Sequence, residues 1–76
     1  MDEFYTVLEV QNNGTTPAAI PVIYTDSSLA YNKYYTVLAA ASVSDLPYHA
    51  AYIISSNGAL LEWKVFDRRT VPNIEG

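Results

Sequence analysis

Asn57-Gly58 stands between two apolar runs, Tyr48 to Ser55 and Ala59 to Arg68. Asn-Gly is the pair best suited to the positive φ angles of a two-residue type I′ turn, so the segment predicts an antiparallel hairpin. With that turn Ser56 opposes Ala59. Ile54 then faces Leu61, Tyr52 faces Trp63 and Ala50 faces Val65 on one wholly apolar face. The reverse face carries His49, Ala51, Ile53, Ser55, Leu60, Glu62, Lys64 and Phe66, which is mixed. A three-residue loop with a bulge would shift this register by one residue.

Upstream, Phe4 to Val10 is rich in β-branched and aromatic residues and reads as a strand with Phe4, Thr6, Leu8 and Val10 on one face. Gln11 to Pro17 breaks it as a loop longer than a tight hairpin. A second strand follows from Ile20 to Thr25. Pro21 has no N–H for a ladder, which puts that strand at a sheet edge. Asp26-Ser27-Ser28 supplies N-cap oxygens for a helix running to about Val43. Ala30, Tyr34, Val37, Leu38 and Ala41 form its core-facing stripe, flanked by Tyr31 and Tyr35, and Ser44 to Pro47 ends it. The expected fold is a single α+β domain of ββαββ order, an antiparallel four-stranded sheet with one helix on one face. Its ordered core spans about residues 4–69, and residues 70–76 form a C-terminal tail.

A chain of 76 residues buries a marginal core, and without cysteine neither disulfides nor thiolate metal sites can reinforce it. Only 16% of the residues are charged, against about 25% in an average soluble domain. Between Ser27 and Ser44 the sole charge is Lys33. The shortage of charge points to a homodimer or higher oligomer that covers part of the exterior. A sheet face retaining Ile53, Leu60 and Phe66 is the expected interface, with the Tyr31 and Tyr35 flank of the helix as the next candidate. The net charge of −4 and the scatter of Lys33, Lys64, Arg68 and Arg69 argue against duplex nucleic acid as a partner. No apolar run is long enough to span a membrane as a helix, and no secretory leader is evident, so the expected location is cytoplasmic.

Signatures of chemistry are scarce. His49 is the single histidine, the carboxylates have no paired-ligand spacing, and Gly14 and Gly58 are explained by Asn-Gly turns. No enzyme, metal or cofactor is expected. One cluster stands out. In the hairpin register Tyr48 and His49 lie beside Arg68 and Arg69, a set able to stack a base and pair with a phosphate. These four are the candidate ligand-binding residues for a small anionic, nucleotide-like molecule, although a solvated strand end that blunts an edge is the stronger reading of the two arginines. The amides and hydroxyls of Asn13-Gly14-Thr15-Thr16 are the fallback.

Lys33-Tyr34, the Val37 to Ala41 segment and Tyr48-His49-Ala50-Ala51 resemble a class of short, mostly uncharacterised phage and prophage accessory proteins. The resemblance extends from Phe4 to about Arg69 and brings no active-site motif. It implies an accessory viral context, acting in the host cytoplasm. There a small oligomeric binding protein would sequester an anionic signal or block a host protein. The alternative is a structural or assembly component that docks through an apolar sheet face.

Overall fold

The computed structural model describes residues 3–68. The strands are β1 (Tyr5–Asn12), β2 (Pro17–Tyr24), β3 (Tyr48–Ser55) and β4 (Leu60–Asp67), with the helix α1 (Ser27–Ser42) between β2 and β3. They form one sheet in the order β2-β1-β3-β4, every neighbouring pair antiparallel. This is the expected ββαββ arrangement.

Local chemistry explains the element boundaries. Asn13 Oδ1 accepts from the Thr15 and Thr16 amides and Asn12 Oδ1 from the Gly14 amide, holding the β1–β2 loop, in which Gly14 has a φ of 106°. β2 begins at Pro17, three residues before the expected start, because the ladder continues to the Asn12–Pro17 pair. It is an edge strand, as Pro21 requires. Asp26 Oδ1 caps α1 by accepting from the Ser28 amide at 2.7 Å and the Leu29 amide at 3.3 Å. Ala30, Tyr34, Val37 and Ala41 of the predicted stripe are buried, and Leu38 packs half-buried against them.

The β3–β4 hairpin corrects the two-residue turn. The Gly58 amide donates to Ser55 O and the Ser55 amide to Ala59 O, both at 2.9 Å, which closes a three-residue loop with Gly58 at a φ of 91°. Ser55, not Ser56, therefore opposes Ala59, and Ile54 pairs with Leu60 in place of Leu61. Leu61 is then an extra residue, a bulge that restores the register from the Ile53–Glu62 pair onward. The two one-residue shifts cancel. Tyr52–Trp63, Ala50–Val65, His49–Phe66 and Tyr48–Asp67 pair as expected.

A second correction concerns which face the helix covers. α1 packs on Val7, Ala51 and Ile53, the mixed side of the hairpin, and Ile53 is fully buried there. Ile53 thus belongs to the core, Phe66 lies on the helix side, and the bulge carries Leu60 to the other side. The reason lies in the connection. With β1 antiparallel to both neighbours, β2 and β3 run parallel, so β2–α1–β3 is a crossover over β1. Such crossovers are right-handed in about 98% of cases, so strand direction, more than apolarity, selects the covered face. Alanines then permit close approach, since Ala30, Ala41 and Ala51 are completely buried.

Candidate functional site

On the covered side Glu9, Gln11 and His49 form one hydrogen-bonded group. Glu9 and Gln11 of β1 project toward the helix beside His49 of β3. His49 Nε2 lies 2.6 Å from Glu9 Oε2, and Gln11 Nε2 donates to the same oxygen at 2.9 Å. Burial raises the Glu9 pKa, but the hydrogen bonds from His49 and Gln11 and the charges of His49 and Lys33 outweigh it. The carboxyl is held below its ordinary value. His49 is only 4% exposed, and its Nδ1 is buried without a hydrogen-bond partner among the described residues. A buried imidazole held by a carboxylate, with its second nitrogen closed off from solvent, is built to order β1 against β3.

The sequence-predicted ligand cluster is divided by the sheet. Tyr48 and His49 are neighbours in β3, so their side chains point to opposite faces. Tyr48 lies on the open side, where its hydroxyl is 3.2 Å from that of Tyr52. Tyr48's hydrogen bond, reinforced by burial and by Tyr48's charge, pushes the Tyr52 pKa up to about 12. Arg68 lies on the helix side. Its guanidinium donates to Ala41 O at 2.7 Å, Ser42 O at 3.3 Å and Leu46 O at 3.4 Å, and sits 5.3 Å from the Phe66 ring centroid. It caps the carboxyl end of α1, where cations and donors satisfy the unpaired carbonyls. Arg69 lies outside the described residues. In the fallback loop the Gly14, Thr15 and Thr16 amides already donate to asparagine side chains.

The sheet face away from the helix is the larger feature. Its cross-strand rows are Ile23-Thr6-Ile54-Leu60, Pro21-Leu8-Tyr52-Trp63 and Ala19-Val10-Ala50-Val65, and none of these side chains is charged. Only the terminal row, Pro17-Asn12-Tyr48-Asp67, brings in a carboxylate. Ile23, Leu60 and Trp63 are at least half exposed on this face. Sequence reasoning found its apolarity but placed the helix over it. The β1–β3 pairing that completes it joins residues some forty positions apart and has no local signature.

A groove of about 530 Å³ lies on the helix side, between α1 and β4. Tyr34, Tyr35 and Leu38 form one wall, and Glu62, Lys64 and Phe66 form the other. Among the described residues no group of three or more metal-ligating side chains comes together, and no helix is long and apolar enough to cross a membrane. Comparison with known proteins finds no matching family model, curated relative or solved structure.

Proposed function

We propose that the chain is a non-enzymatic assembly module whose working form is an oligomer, with the open sheet face buried against a second copy. The observation that carries this reading is the three successive cross-strand rows without a charge on a chain that has charges to place elsewhere. Four strands of eight residues cover a footprint of about 20 by 26 Å, from spacings of about 4.8 Å between strands and 3.3 Å along them. With the relief of its side chains, such a face approaches the roughly 800 Å² per partner of a standard interface. Two copies packing face to face about a two-fold axis would place their sheets about 10 Å apart. In the accessory viral setting that the resemblance suggests, the assembled module acts by occupying the surface of a host protein. Capture of a small anionic ligand is less well supported, because the Arg68 donors are engaged by backbone carbonyls.

Sedimentation equilibrium at tens of micromolar tests the reading. The expected mass is a dimer or a multiple of it, and Leu8→Asp, at the middle of the open face, lowers it at least twofold with an unchanged far-UV circular dichroism spectrum. A monomeric parent chain overturns the proposal. Nucleotide binding that disappears in Arg68→Ala would replace it with ligand capture.

A further inference from the structure

The two edges of the sheet differ. β2 carries Pro17 and Pro21, which have no N–H to offer a further strand, whereas β4 (Leu60–Asp67) contains no proline. Nor does the helix cover β4. It rests on β1 and β3, and the groove beside Tyr35 and Leu38 leaves the helix side of β4 accessible. On that side stand Glu62 and Lys64, two residues apart, and among the described residues neither has an ion-pair partner.

We infer that β4 is a second interface, at which it pairs antiparallel with β4 of another copy about a two-fold axis through Trp63. The charge pattern is self-complementary about that residue. An antiparallel register centred on Trp63 puts Glu62 opposite Lys64 of the partner subunit, and two-fold symmetry repeats the pair. Both charged pairs fall on the helix side, Leu61 meets Val65 of the partner subunit, and the two indoles adjoin on the open face. Neighbouring registers lose this match. Centring on Glu62 or Lys64 places like charges directly opposite each other. The bulge at Leu61 bends one end of the strand, so the ladder is short and centred where the charges are. The result is one continuous eight-stranded sheet with both helices on the same side. This interface is independent of the open-face contact. Where both operate, two two-fold axes generate a closed tetramer if they are perpendicular and an open polymer if they are not.

Inward-facing charges on an edge strand also serve in proteins to prevent pairing, and a charge exchange separates the two roles. The experiment uses Leu8→Asp chains, so that only the edge contact is read. If the open face forms no interface, that change leaves the mass alone and the edge test still stands. The Leu8→Asp chain is expected to be dimeric by native mass spectrometry. Adding Lys64→Glu, or separately Glu62→Lys, should weaken the dimer by about tenfold or more, because each places four like charges around the axis. Adding both restores it. Mixing the two singly exchanged chains should give a heterodimer in preference to either homodimer. A folded Leu8→Asp chain that is monomeric, or exchanged chains that fail to select each other, would overturn the inference.

Discussion

The covered and open faces of the sheet are built from nearly the same strands, and the more polar of the two is the one that lies under the helix. Val7, Ala51 and Ile53 share that side with Glu9, Gln11 and His49, while Leu8, Tyr52 and Trp63 occupy the side without charge. Apolarity alone does not choose the core. The direction of the crossover selects a face, small side chains let the helix approach, and Glu9, Gln11 and one nitrogen of His49 are accommodated there by hydrogen bonds to one another. The face left over is the one with most to gain from another subunit.

The largest expected effect compares adjacent residues. Ile53→Asp puts a carboxylate among the buried apolar side chains beneath α1, and an uncompensated buried charge costs about 3–5 kcal/mol, enough to unfold so small a domain. Tyr52→Asp, one residue earlier, changes the open face and should leave the fold intact while lowering the oligomer mass. Thermal unfolding followed by circular dichroism, with light scattering, reads both. Equal loss of structure in the two variants would break the distinction between the faces.

A smaller effect is expected at the carboxyl end of α1. Arg68→Ala removes the hydrogen bonds to the last helical carbonyls, Ala41 O and Ser42 O, the one to Leu46 O beyond the helix, and the cation beside Phe66, for about 1–2 kcal/mol in a partly exposed setting. Lys64→Ala, also beside Phe66 but bonded to no carbonyl among the described residues, should cost less than half of that in urea denaturation. Similar losses would mean that the contacts with Phe66 matter more than the cap. At the other end of the helix, Asp26→Ala should cost about 1 kcal/mol by the same measurement, and Asp26→Ser should recover most of it. Failure of serine to recover stability would assign the effect of Asp26 to its charge.

What was legible in the sequence was local. The Ala30–Tyr34–Val37–Ala41 stripe, the Asp26 cap, the edge position of the Pro21 strand and the hairpin at Asn57-Gly58 all rest on residues within a few positions of one another. What was not legible required distant partners. His49 finds Glu9 through the β1–β3 ladder, not through Asp45, its nearest acid in sequence. Arg68 reaches carbonyls more than twenty residues away, so a side chain read as a ligand cation serves as a helix cap. Leu61 shows the same limit at short range. Asn57-Gly58 fits two turn types, and the bulge hides the difference beyond Ile53.

The smallest expected effect uses pH to set the two faces apart. Glu9 is held below the ordinary carboxylate value of 4.5, so its folded pKa lies under its unfolded one. Its contribution to stability is therefore present above pH 4.5 and lost as the pH falls through the folded value, where the hydrogen bonds from His49 and Gln11 meet a neutral acid. Glu9→Gln should lower the urea midpoint at pH 7 and make its decline below pH 4.5 shallower than in the parent chain. Equal acid slopes would show that other carboxylates carry the dependence. The three uncharged rows of the open face have nothing comparable to titrate in this range, since they hold no carboxylate and Tyr52 ionises only at about 12, and Asp67 stands at the end of the face, in its terminal row. In a chain whose β4 contact is disabled by Glu62→Lys, the oligomer mass should accordingly stay constant from pH 7 down to the onset of unfolding. In that chain, a mass that falls before the fold does would place Asp67 or another acid at the open-face contact.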